Sequence, residues 1–161
     1  MKKAAQYLLI IIPFLWAGIL LGISFLEAPL KFQAPGVTLQ IGAGIGNLVF
    51  HALNKVEIAF LFILLCCYYF ANEKNISFFI LMLSTLILAL QTFWLLPALD
   101  VRVEMLRQGM ALPDSSLHFY YIAAEAIKLI LVFGLGGLMI RSALKRPSET
   151  VTLIAENNLS R

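Results

Sequence analysis

Four runs of apolar residues, at about 7–26, 48–70, 76–99 and 118–140, constrain this chain more than anything else in it. A hydrocarbon layer about 30 Å thick takes roughly twenty helical residues to cross. Of the 161 residues, 61% are hydrophobic and 13% charged, where a soluble domain carries about 25% charged residues. The mean hydropathy is +0.90. The expected fold is all-α: a four-helix transmembrane bundle over residues 1–146, followed by a short polar cytoplasmic tail at 147–161. The start, with Lys2 and Lys3 before its apolar run, resembles a secretory signal. The run exceeds the 7–15 residues of a signal core, so it is read as an uncleaved first span.

Four spans put both ends of the chain on one side. Basic residues near the span ends divide into Lys2, Lys3, Lys74, Arg141, Lys145, Arg146 and Arg161 on that side, against Lys31, Arg102 and Arg107 on the other. Positive-inside bias then predicts cytoplasmic termini in a bacterial inner membrane. The short "ANEKN" connection predicts an antiparallel hairpin between spans two and three. After the first span, "SFLEAPLKFQAPG" and the "GVTLQIGAGIGN" that follows are expected to form a partly apolar, non-helical outer segment, because Pro29 and Pro35 disfavour helix. Phe25, Leu26, Leu30 and Phe32 would anchor this segment in the interface while Glu27 and Lys31 turn inward. Gly18 and Gly22, with Gly134, Gly136 and Gly137, suggest tight helix packing or self-association. No inverted internal repeat of the transporter type is evident.

A net charge of +3 from scattered residues gives nucleic acid no electrostatic footprint. Cys66 and Cys67 are adjacent in an apolar run and point about 100° apart on a helix, so they read as packing residues and not as a disulfide.

Charges inside a span are costly and usually face the bundle interior or water. Lys55 and Glu57 lie in span two, Glu125 and Lys128 in span four. At 1.5 Å per residue, Lys55 and Glu125 lie roughly 10 Å below their span starts, and Glu57 and Lys128 roughly 14 Å. Lys55 and Glu57 are about 160° apart around their axis, so both cannot face span four. The expected pair is Lys55 with Glu125, while Glu57 looks toward another helix. His118, Tyr121, Glu125 and Lys128 form one polar stripe, and His51, Asn54 and Lys55 another. With Glu27, Lys31, Gln91, Asp100 and Arg102 at the same end, they predict a charged vestibule open to the outer face.

The same residues also serve as simple helix locks in the plainer reading. His51 and His118 are candidate axial haem or metal ligands, but no Glu-x-x-His or His-Glu-x-x-His spacing accompanies them, so no metal and no cofactor is assigned. "IGAGIGN" departs from dinucleotide-loop spacing, and Ser24 has no evident catalytic histidine. Trp16, Phe93, Trp94, Phe119 and Tyr120 read as belt or core residues.

The combination of "FLEAPLKFQAPG", "LVFHALNKVE", "FWLLPALDVRVEMLRQG" and "LHFYYIAAEAIKLIL" resembles small bacterial four-helix membrane proteins of unknown function, the uncharacterised domain group related to transmembrane protein 205. The resemblance implies a fold and no catalytic residues. "HALNKVE" also resembles the Asn-x-x-Glu helix of glutathione-handling membrane enzymes, which would give Asn54 and Glu57 a role, though the flanking arginines are missing. The expected function is a small binding, transport-accessory or assembly protein with the bilayer around it, as a homo-oligomer or within a larger membrane complex. The rivals are a metal-, haem- or glutathione-dependent enzyme and a purely structural subunit.

Overall fold

The computed structural model describes residues 2–71 and 76–145. The 72–75 hairpin connection and the 147–161 tail expected from the sequence lie outside the described residues. The described chain is all-helical, with four helices long and apolar enough to cross a membrane: α1 (Lys3–Gln33), α2 (Leu39–Ala71), α3 (Ile76–Arg107) and α4 (Leu117–Leu144). They pack as a ring in chain order, α4 closing on α1. The first and last described residues share one end of the bundle, since Lys3 and Tyr7 line the same hollow as Met139 and Ser142. The other end, carrying connections 34–38 and 108–116, is called the loop end below.

Each inward face repeats every three or four residues. In α2 the buried positions include Gly46, Leu53, Glu57, Leu64 and Tyr68; in α4 they include Tyr121, Glu125, Lys128, Val132, Leu135 and Met139. This spacing keeps one stripe of each helix against its neighbours. The opposite faces are exposed and apolar on every helix: Ile11 is 50% exposed, Phe62 68%, Phe79 64% and Ile130 72%. Apolar exposure on this scale around the whole perimeter is what lipid covers and water does not. Phe93, Trp94, Phe119 and Tyr120 belong to this outer surface. Trp16 does not: it is fully buried.

The helices hold 28 to 33 residues, about 42–50 Å at 1.5 Å each, well past the hydrocarbon core. This corrects the non-helical segment expected after the first span. The chain stays helical from Leu21 through Gln33, and only 34–38 leaves helix before Leu39. The reason lies just before Pro29. Leu21–Glu27 is a π-helical stretch, with the Ala28 amide bonding to the Ile23 carbonyl. A proline has no N–H to give and crowds the carbonyl four residues back; a wider turn accommodates both. Pro35 does end the helix, heading a turn in which Gly36 takes a φ of 82° and the Val37 amide reaches the Ala34 carbonyl at 3.1 Å. Thr38 then caps α2, its hydroxyl accepting from the Ile41 amide at 3.3 Å.

Among the glycines expected to allow close packing, Gly136 does so, for a Cβ there would fall 2.8 Å from the Phe14 ring. Gly18 and Gly22 have open space beside them, so they make no close helix contact within the chain.

α3 repeats the device of α1. Gln91–Leu95 is a second π-helical stretch, ending two residues before Pro97 as Leu21–Glu27 ends two before Pro29. Pro29 and Pro97, Glu57 and Glu125, and Ser24 and Thr92 are all spaced by the same 68 residues. Buried positions follow that spacing: Leu9 with Ser77, Trp16 with Ser84, Leu20 with Leu88, Leu53 with Tyr121, and Leu64 with Val132. The two helical hairpins share one burial register.

Candidate functional site

All four helices send one or two polar side chains to a single point inside the bundle. From α4, Lys128 places its Nζ 2.6 Å from Glu57 Oε1 on α2 and 3.0 Å from its own neighbour Glu125 Oε1. From α3, Gln91 Oε1 accepts from Lys128 Nζ at 2.5 Å, and Gln91 Nε2 donates to Glu125 Oε1 at 2.7 Å. From α1, the Trp16 indole N–H donates to Glu57 Oε1 at 2.8 Å and the Ser24 hydroxyl to Glu125 Oε2 at 2.9 Å. Glu57 and Glu125 are each 1% exposed and Lys128 is fully buried.

An ammonium has three protons to donate, and Lys128 spends them on Glu57, Gln91 and Glu125. Such a charge-paired group is tolerated when buried, while losing one member costs about 3–5 kcal/mol. The two π-helical stretches help build it. Ser24 and Gln91 sit within them, one on each side of Glu125.

This geometry corrects the expected Lys55–Glu125 pair. Lys55 is exposed, and Glu125 is held by Lys128, Gln91 and Ser24. The reason is phase: Leu53, Glu57 and Leu64 share the buried stripe of α2, and Lys55 is about 200° round from Leu53. Glu57 does meet a helix other than α4, through Trp16 on α1. The helix α2 also begins at Leu39, so Glu57 lies near the helix midpoint and not in its outer third.

A second polar group joins α2 to α3 nearer the loop end. His51 Nε2 lies 2.9 Å and 3.1 Å from the two Asp100 carboxylate oxygens. Asn47 donates to Asp100 as well, at 2.5 Å, and Asn54 donates to the Thr92 hydroxyl at 2.8 Å. Glu27 and Lys31 do not reach the buried triad. They pair with each other at 3.3 Å, and Lys31 Nζ stands 5.3 Å from the Phe50 ring centroid. Phe25, Leu26, Leu30 and Phe32 are exposed at 38%, 59%, 47% and 44%, and of these Phe25 and Phe32 also border the cavity.

Between these groups lies a cavity of about 630 Å³. Phe25, Phe32, Phe50, Leu96, Leu99 and Leu106 supply apolar wall; Ser24, Tyr121 and Glu125 border it from the triad side, and Lys31, Asp100, Arg102 and His118 line it as well. Arg102 makes no ion pair with any described residue. Asn54, Lys55, Glu57, Gln91 and Lys128 do not line the cavity. The glutathione-type assignment of Asn54 and Glu57 therefore places both away from this cavity.

The candidate haem or metal pair is likewise separated in role: His51 is engaged by Asp100, while His118 faces the cavity. Among the described residues, no three His, Cys, Asp or Glu side chains converge as a metal site. Both cysteines are free thiols.

Sequence reasoning missed Trp16, Ser24, Asn47 and Thr92. Trp16 carried a usable signal, lying on the stripe Ala5, Leu9, Ile12, Trp16, Leu20 that is buried throughout. Ser24 carried none, because its alignment depends on the π-helical stretch. No protein-family model, curated protein or solved structure matches this chain.

Proposed function

We propose that this chain is a multi-pass protein of a bacterial inner membrane, both termini cytoplasmic, whose loop-end cavity binds an amphipathic molecule with an apolar tail and an anionic head. The observation that carries the reading is the cavity itself. It is about 630 Å³, within the range of about 300–1,000 Å³ that small-molecule sites occupy, and its walls are largely aromatic and aliphatic. Its charges set the head group. Lys31 is paired with Glu27, and Asp100 is held in hydrogen bonds to His51 and Asn47, which leaves Arg102 as the cation without an ion-pair partner among the described residues lining it. A carboxylate or phosphate there would form charge-assisted hydrogen bonds with the guanidinium.

The test is titration of the protein in lipid nanodiscs with a fluorescent long-chain fatty acid and, in parallel, a fluorescent alkylamine of equal length. The fatty acid binds and the amine does not; Arg102→Ala weakens fatty-acid binding about tenfold, equivalent to about 1.4 kcal/mol, and Val103→Trp fills the cavity and abolishes it. Equal binding of the two probes, or indifference to both substitutions, sinks the reading. Orientation is tested separately: a reporter active only on export should work when inserted in the 108–116 connection and fail when fused after Lys145.

A further inference from the structure

The buried triad contains an imbalance that the cavity reading leaves unused. Two carboxyl groups, Glu57 and Glu125, share one ammonium, Lys128, and all three are 1% exposed or less. If every group were ionised, one negative charge would remain buried between the helices, where an uncompensated ion costs several kcal/mol.

The hydrogen bonds say which carboxyl differs. Glu125 accepts on both oxygens, from Lys128 and Gln91 on Oε1 and from Ser24 on Oε2. That is the surrounding of an anion. Glu57 accepts twice on Oε1, from Trp16 and Lys128, while its buried Oε2 has no hydrogen-bond partner. We propose that the triad is a proton-binding site, its one exchangeable proton carried on Oε2 of Glu57. With that proton the group is neutral: Glu57 as the acid, Glu125 as carboxylate, Lys128 as ammonium.

The helices around Glu57 leave few competitors. α1 presents Trp16 and Ser24 and α3 presents Gln91, none of which titrates in the accessible range. α4 presents Tyr121, Glu125 and Lys128. The charged groups Lys31, Asp100, Arg102 and His118 line the cavity that borders Glu125 and not Glu57. Protons therefore exchange with the triad from the loop end, by way of Glu125. This inference does not rest on the identity of any cavity ligand.

Infrared spectroscopy of the protein in nanodiscs, titrated from acid to alkaline pH and repeated in deuterium oxide, tests it. A protonated-carboxyl C=O band is present at neutral pH and shifts on deuteration. Glu57→Gln removes the band. Glu125→Gln removes it too, because a single carboxylate facing Lys128 ionises. Lys128→Met adds a second band, both acids then holding protons. Trp16→Phe, which keeps every charge, shifts the band as Glu57 loses a donor, and this mild variant stands in should the charge changes fail to fold. Absence of the band from the wild-type protein at neutral pH overturns the proposal, as does a band indifferent to Glu57→Gln. A band that appears only when sodium and potassium are withdrawn also overturns it, in favour of a bound metal cation.

Discussion

The hairpin formed by α1 and α2 and the hairpin formed by α3 and α4 share a frame and divide the chemistry unequally. Both bend through a π-helical stretch before a proline, Pro29 or Pro97, and both bury a glutamate 28 residues after it, Glu57 or Glu125. At the surrounding matched positions they part. Gln91 stands where the first hairpin has Ile23, Lys128 where it has Phe60, and Trp16 where the second has Ser84. The second hairpin carries the cation that meets both acids and the amide that donates to Glu125. The first contributes an acid, an indole N–H and one hydroxyl. The difference teaches that a shared packing register fixes where a polar group is held, and two or three substitutions within it decide what that group becomes.

Changing matched residues should break this inequality in order of the interactions lost, read as unfolding in one fixed mixed-micelle system. Lys128→Met leaves two acids without their cation and should cost about 3–5 kcal/mol; Phe60→Met at the matched site should cost about 1 kcal/mol. Equal costs would mean that the triad contributes nothing beyond volume. Gln91→Leu removes a donor to Glu125 and an acceptor from Lys128, about 1–3 kcal/mol, whereas Ile23→Leu stays below about 1.5 kcal/mol.

Ser24→Ala and Thr92→Val sharpen the comparison from the other side. Each deletes one hydroxyl partner, of Glu125 or of Asn54, so both should lose about 1 kcal/mol. A much larger loss at Ser24 would show that its bond to the ionised acid dominates. Lys55→Ala should be smallest, with no shift in the unfolding midpoint, because the side chain is exposed. A clear loss there would restore the pairing with Glu125 that the geometry rejects.

Much of the fold is legible in the residues. Four apolar runs and their spacing lead to four helices, and the outward aromatic residues follow from hydropathy. The helix ends are not legible that way, because hydropathy stops at the hydrocarbon boundary while α1 and α3 continue for another turn or more. The site is legible in part: Glu57, Gln91, Glu125 and Lys128 all fall on the same periodic stripe as the core leucines and valines, and that periodicity selects Glu57 over Lys55 as the inward residue of α2.

By itself, then, the sequence determined that this chain forms four apolar helices and that a few charges must be buried among them, since the free energy of leaving water depends on residue type and spacing alone. Only the tertiary structure decided which charges meet. Partner choice depends on helix rotation and on the backbone shift at Leu21–Glu27 and Gln91–Leu95, and a change of one residue in helical phase swings a side chain by about 100°. It was that local geometry, set by proline and by packing across four helices, that gave Glu125 three partners and left one oxygen of Glu57 with none.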